Sequence, residues 1–246
     1  EGEDWASCGV LEHRVEGKRG LPRDALWVEE GSPGRQWSRE AGADLLEQAQ
    51  LPPGTPAIWH EQAAWLRPAQ LVRAQLAHPN ITWRGDTRVA ALRRDGKDAD
   101  AIWQLLDADG GVLAQAGTVV LACAHPTRAL LEPLGSSLPL NALRGQVSWG
   151  PLSALPDAAR AQLPPFPVNG HGSLISGFAG PDGLAEPAWI VGSTFERGAT
   201  EGRVKAEDQD ANRDRLARLL PRLGLAMGTQ FEHARAWAAV RCTLPD

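Results

Sequence analysis

The chain has 246 residues, with 30 acidic against 25 basic side chains, 43% hydrophobic and 22% charged residues. That suits one large globular domain or two small ones. The net charge of −5 excludes nucleic-acid binding driven by global charge, and no apolar run nears the roughly 20 residues of a membrane helix.

No signal peptide is visible. Cys8, Cys123 and Cys242 are odd in number and widely spaced, which argues against a disulfide framework and suits a reducing cytoplasm. The sequence holds ten Trp and no Tyr, so a phenol is unavailable as acid, base or carboxylate anchor. It begins at Glu1 and its only methionine is Met227, which reads as a piece of a longer protein.

In chain order, Gly9 to Leu11 opens a strand, and Trp27-Val28 lies in a short helix after Pro22. Ser38 is placed to cap a helix running through Ala43 and Leu46, ended by Pro52-Pro53-Gly54. Ala57 to Leu66 reads as a bent strand, Pro68 begins a helix with Leu71, Val72, Gln75 and Leu76 at helical spacing that Pro79-Asn80 ends, and Ile81 to Trp83 reads as a brief strand. A meander follows in three runs, 88–93, 101–106 and 112–116, separated by the hairpin signals Asp95-Gly96 and Asp109-Gly110-Gly111. Thr118 to Ala124, TVVLACA, lacks polar alternation and is expected to be a strand buried on both faces, without neighbours to pair it. Its orphaned edge would invite self-association.

Leu143 to Trp149 and Ser173 to Ser176 read as strands, with a Pro-rich connection and a short helix at 157–163 between them. The stretch 189–221 organises the rest: a strand ending at Ile190-Val191, the turn GSTFERG at 192–198, and a charge-rich helix to Leu220 stopped by Pro221. Leu216 and Leu220 mark the buried stripe of that helix, and stepping back by fours gives Asn212 and Asp208. Its N-terminal half therefore buries polar groups, which either fix the preceding turn or face a ligand. Gln230 to Cys242, with Trp237 and Val240, reads as a final strand.

Several chemistries find no support. Gly170, Gly172 and Gly177 form GxGxxxxG, a strand-edge turn rather than a dinucleotide fingerprint. The six histidines never fall at paired metal-ligand spacing, so no metal site is assigned. No GxSxG elbow occurs, and no catalytic residue is assigned. Arg67, Arg144, Arg197 and Arg241 stand at strand ends or turns, where a surface ion pair or a carboxylate clamp is open to each.

GVL at 9–11, IWHEQAAWLRPAQL at 58–71, TVVLACA at 118–124, RGQVS at 144–148, GSTFERG at 192–198 and VRCTLPD at 240–246 occur in one familiar order. This order resembles the FAD-dependent D-amino-acid-oxidase-like superfamily, and within it the oxidase halves of bifunctional proteins that make 5-methylaminomethyl-2-thiouridine in tRNA. The resemblance implies an α+β fold: a large mixed, mainly antiparallel sheet with flanking helices, plus an inserted meander and helix. Residues 1–65 and 137–246 would form a substrate-binding domain, and 66–136 a partial FAD-domain insertion. It implies oxidation by FAD of the carboxymethyl-amine of a wobble uridine, with release of glyoxylate. The implied partners are tRNA and an N-terminal methyltransferase domain of the same polypeptide, in the cytoplasm and without a membrane.

For the reaction so implied an arginine would hold the substrate carboxylate, and the one expected to do so is Arg241, with Arg144 and Arg197 behind it. Trp65, Phe195 and Asn212 would complete the substrate side, and Val89, Ala122, Cys123 and Ala124 would touch the cofactor. FAD is expected in the intact protein and not in this chain alone, because the phosphate-binding fingerprint is not among its motifs. Two departures stand out: Ala64 where the family has Gly before Trp65, and Cys123-Ala124 where it has Asn-Gly or Asn-Ala. A glycine- or sarcosine-type amine oxidase of the same superfamily, or a non-catalytic tRNA-binding module, are the competing readings.

Overall fold

A computed structural model describes residues 3–13, 30–96, 101–180 and 186–245. The expected helix at Trp27-Val28 lies outside them. The chain divides into two compact units, one of residues 1–75, 145–195 and 203–239, the other of 76–144, 196–202 and 240–246.

The first unit is built on one large sheet and a separate two-stranded one. Strands β1 (Trp5–Ser7), β2 (Val10–His13), β3 (Ser38–Glu40), β4 (Ala57–His60) and β5 (Ala64–Leu66) come from its first segment. The second supplies most of β9 (Asn141–Pro151), with β10 (Val168–Gly170), β11 (Gly172–Ala179) and β12 (Pro187–Gly192). The order runs β9-β12-β11-β10-β2-β4-β3, and β1 pairs separately with β5. Among the described residues of this order, the β10–β2 pair is parallel and the other pairs are antiparallel. The sheet is therefore mixed and mainly antiparallel, with flanking helices, as the α+β reading expects. A bulge at Gly177 interrupts β11 opposite β12.

The helices in chain order are α1 (Ala43–Gln48), α2 (Pro68–Leu76), α3 (Thr127–Leu131), α4 (Asp157–Arg160), α5 (Ala206–Leu219) and α6 (Pro221–Ala226); in the first unit one face of the sheet packs on α5, and α6 packs on α5 and α4. Leu11, Leu174, Val191, Leu216, Leu219, Leu223 and Met227 are buried there. Trp59 meets Phe166 edge-on at 4.9 Å, and Trp189 meets Phe231 at 5.5 Å. Pro221 does more than stop α5: it starts α6, where its missing N–H costs nothing.

The second unit holds the expected meander, β6 (Ala91–Asp95), β7 (Ile102–Leu106) and β8 (Val112–Ala116), all antiparallel. Asp107 closes the β7–β8 turn by accepting the N–H groups of Asp109 and Gly111. Buried Gln104 accepts from Arg93 and donates to Asp95 across the β6–β7 pair. The two-residue strand β13 (Glu196–Arg197) pairs with the first part of β9. The last strand, β14 (Arg235–Thr243), also pairs with β9.

Three expectations fail for stated reasons. Ser38 does not cap a helix: it lies in β3, where its hydroxyl bonds His60 Nδ1 at 2.8 Å, and the helix begins later as α1 (Ala43–Gln48) with Asp44 in its first turn. Ile81 to Trp83 is irregular, with Trp83 69% exposed, because no strand among the described residues pairs with it. Thr118 to Ala124 forms no strand either, and Val120 is 84% exposed. An apolar run needs partner strands to become a buried strand, and among the described residues nothing pairs with it. The sheet edge expected to drive self-association is thus not formed; apolar side chains are exposed instead. No helix among the described residues is long and apolar enough to cross a membrane.

His13 is 2% exposed, and neither ring nitrogen makes a hydrogen bond of normal geometry. Burial pushes its pKa below 6.5, the Leu219 backbone opposes this, and His171 adds to it. The unfolded chain therefore binds the extra proton in the window just below 6.5, so His13's contribution to stability is lost as pH falls through it. Melting temperature is expected to drop as pH is lowered below about 6.5, and His13→Leu is expected to flatten that slope. Thermal unfolding followed by circular dichroism across pH 5–8 checks this.

Candidate functional site

In the first unit a hydrogen-bonded seam joins β9 to α5. Along β9 the residues alternate between faces. The hydrophobic members Val147 and Trp149 would be expected to face the core. Instead Arg144, Gln146 and Ser148 are the buried set, and Val147 and Trp149 are half-exposed. The strand is polar inward because the helix above it is polar too.

Gln146 is fully buried and is the hub of this seam. Its side-chain amide pairs with the backbone of Lys205: Nε2 donates to the Lys205 carbonyl at 2.8 Å, and Oε1 accepts the Lys205 N–H at 2.8 Å. Lys205 is the residue just before α5, so this pairing fixes the start of the helix. The Gln146 carbonyl accepts from Thr194 N–H at 3.1 Å and from Asn212 Nδ2 at 3.0 Å. The Gln146 N–H donates to Thr194 Oγ1 at 3.1 Å. Asn212 Nδ2 also donates to Ser148 Oγ at 3.1 Å. The Ser148 hydroxyl bonds Gln209, whose amide reaches the Ala234 carbonyl.

The turn after β12 is clamped to the same hub. Thr194 is buried and bonds Gln146 twice. A Cβ on Gly145 would lie 2.9 Å from the Thr194 carbonyl, so only glycine lets the turn approach β9 this closely. The next residue, Phe195, projects outward at 52% exposure, with the Arg215 guanidinium 5.6 Å from its ring centre.

The sequence-nominated residues fall out as follows. Asn212 is wholly buried, with Nδ2 engaged within the protein and Oδ1 without a hydrogen bond among the described residues. Asp208, nominated on the same stripe, is only half-buried; Gln209 makes the contact to Ser148 because helix neighbours follow i+3 as well as i+4. Trp65 is half-buried on β5 and meets Phe178 edge-on at 6.1 Å. In the second unit, Arg144 is 1% exposed and pairs with Glu196 at 3.3 Å. Arg197 and Arg241 are exposed on β13 and β14. Gln146, Ser148 and Gln209 escaped the sequence reading, although Arg144, Gln146 and Ser148, three polar residues in register on a strand, were a visible signal.

Val89, Ala122 and Cys123 come together in the second unit. They line a cleft of about 840 Å³ with Leu92, Leu105 and Val119. Ala124 is not in that lining; it sits in the left-handed region at φ 54° and its carbonyl accepts the Thr127 N–H. Cys123 Sγ lies 3.2 Å from Thr127 Oγ1. The volume and apolar lining fit a ring system of a bound cofactor. Among the described residues of this lining there is no helix N-terminus behind a glycine fingerprint, the usual seat of a pyrophosphate. These residues therefore fit an apolar part of a dinucleotide cofactor, with Thr87 and Arg88 as the polar members of the lining.

The whole chain, residues 1–246, matches the FAD dependent oxidoreductase family. It is 46% identical to the tRNA 5-methylaminomethyl-2-thiouridine biosynthesis bifunctional protein MnmC of Paracidovorax citrulli, over 100% of the chain and 38% of that protein. It is 48% identical to the protein of the same name from Delftia acidovorans, over 100% of the chain and 39% of that protein. The chain thus spans less than half the length of these relatives. Among solved structures, glycine oxidase from Geobacillus kaustophilus superposes with a TM-score of 0.67 at 17% identity, over 99% of this chain and 61% of that one. Iminodiacetate oxidase from Chelativorans sp. BNC1 gives 0.63 at 18% identity, over 98% and 62%. At such identities these likenesses speak for the fold.

Thr194→Val keeps the shape of the side chain and leaves the buried Gln146 N–H without its acceptor. It is expected to cost about 1–3 kcal/mol, read as a lower urea midpoint, with Thr194→Ser restoring most of the loss. An unchanged midpoint for the valine variant would show that this bond does not hold the turn.

Proposed function

The chain belongs to the FAD dependent oxidoreductase family, and we propose that it is part of an enzyme that removes the carboxymethyl group from 5-carboxymethylaminomethyl-uridine at the tRNA wobble position. The observation that carries this reading is the full-chain match, at 46% and 48% identity, to proteins named for making 5-methylaminomethyl-2-thiouridine in tRNA. On this reading the partners are tRNA and an N-terminal methyltransferase domain of the same polypeptide, in the cytoplasm. Residues 1–65 and 137–246 form its substrate side and 66–136 its FAD side.

FAD, when bound, supplies the two-electron acceptor for a hydride from the carboxymethyl carbon; loss of the amine proton leaves an imine, which water splits into glyoxylate and the aminomethyl nucleoside. The protein's own work is to hold and desolvate the amine. Arg241 offers an exposed planar fork to the carboxylate. Arg197 is the second candidate. Arg144 comes third, since gripping a substrate carboxylate would cost it the Glu196 pair. Phe195 and Trp65 supply apolar surface that excludes water from the amine. Asn212 enters as a positioning residue, because its amide donates to Gln146 and Ser148. Val89, Ala122 and Cys123, with Ala124 beside them, hold an apolar part of the cofactor in the cleft of the second unit.

The test is glyoxylate release by the intact FAD-loaded polypeptide from tRNA carrying the carboxymethylaminomethyl group, against release from glycine and sarcosine. Turnover of the tRNA alone is expected. Turnover of the free amino acids alone would replace this reading with a small-amine oxidase, and binding of tRNA without turnover would replace it with a binding module. Arg241→Ala is expected to raise KM for the tRNA about 10–100-fold, the loss of a charge-assisted hydrogen-bonded pair. Unchanged kinetics would remove Arg241 from this role.

A further inference from the structure

The face of the sheet opposite α5 carries the residues that the polar seam displaced. Ile190 lies opposite Trp149, and Ile175 opposite Ile190, so the three form a row across β9, β12 and β11. All three are half-exposed. Arg235 stands over this row, its guanidinium carbon 5.0 Å from the centre of the Trp149 ring. Two residues further along β14, and so on the same side of that strand, Trp237 is 63% exposed.

The charge here runs against that of the whole chain. Residues 234–243, ARAWAAVRCT, contain two arginines and no acidic residue in a protein of net charge −5. Arg235 makes no ion pair with a carboxylate among the described residues; the Trp149 ring is what it rests on. A guanidinium stacked on an indole keeps its N–H edge available to an outside acceptor, and arginine's fork suits phosphate oxygens. An exposed indole next to it offers a flat surface of nucleobase size. Aromatic stacking beside a guanidinium is how proteins take hold of unpaired RNA nucleotides.

We infer that Arg235 and Trp237, with Trp149 positioning the guanidinium, form a contact for an unpaired nucleotide of RNA: the base stacks on Trp237 and Arg235 takes an adjacent phosphate. The occupant is RNA rather than an acidic peptide, because one cation flanked by two indoles has more surface for a base than charge for a run of carboxylates. The inference rests on the proposed tRNA substrate and adds the surface that would grip it, apart from the residues assigned to the carboxylate.

The test titrates the full chain with an unmodified anticodon stem-loop RNA, followed by fluorescence anisotropy of a dye on the RNA, with a fully paired duplex of equal length as comparison. The stem-loop is expected to bind more tightly than the duplex. Trp237→Ala is expected to weaken the stem-loop about fivefold or more, the range of one lost base stack. Arg235→Gln is expected to weaken it and to lower the salt-dependence slope by about one, with Arg235→Lys keeping the slope. Because Trp237 is largely exposed and Arg235 is exposed, unchanged melting temperatures are expected and separate lost contact from lost fold. Stem-loop binding by the wild type that neither variant alters would overturn this surface while leaving the tRNA reading intact. Tighter binding of polyglutamate than of the stem-loop would overturn it in favour of an acidic peptide. Failure of the tRNA reading itself is seen separately, in the glyoxylate assay.

Discussion

The structure depends on the pairing of one side-chain amide with one backbone. Gln146, itself fully buried, and Lys205 exchange two hydrogen bonds of 2.8 Å. A buried polar group is costly unless matched, and a matched one fixes geometry because alternatives leave donors and acceptors unpaired. From Gln146 the same logic extends to Thr194 in one direction and to Asn212, Ser148 and Gln209 in the other. A strand, a helix start and a turn, drawn from three separate stretches of chain, are thereby locked in register. Leucines at these positions would bury comparable surface, yet they would tolerate sliding of α5 over β9 that the polar seam does not.

Much of the architecture could be read from the sequence because it rests on local signals. The meander at 91–116 followed from Asp-Gly turns and short apolar runs, the helix at 68–76 from Pro68 and its spacing, and α5 from its charge pattern and Pro221. The readings that failed needed knowledge of what lies alongside. Ser38 has the chemistry of a cap, but His60 and the pairing with β4 claimed it for a strand. Thr118 to Ala124 has the composition of a central strand, but composition cannot supply neighbours.

The site was legible in the same uneven way. Asn212 could be singled out because stepping back from Leu216 placed a polar residue on a buried stripe. Its partner was expected in the turn, and the structure puts a strand residue between them: Gln146 receives both Asn212 and Thr194 on one carbonyl. Gln146 itself went unnoticed because hydropathy assigns the inward face of a strand to its apolar members, and in β9 the assignment is reversed. Arginines were nominated for their reach and charge, which sequence reveals. Their burial, which separates Arg144 from Arg197 and Arg241, is a property of packing.

That reversal has a consequence for function. A two-faced strand that spends its polar residues on the core must present its apolar residues elsewhere. In β9 this leaves Trp149 half-open beside Ile190 and Ile175, a surface with the water-shedding character a ligand site needs. An ordinary alternation would have buried Trp149 and exposed Gln146, stabilising the core and leaving a hydrated face. The polar seam therefore does two jobs at once: it sets the register of α5 and the Thr194 turn, and it leaves the opposite face of the sheet apolar and half-exposed. The observation that joins these is the stacking of Arg235 on Trp149, since a cation resting on an indole instead of a carboxylate remains able to meet an anion from outside.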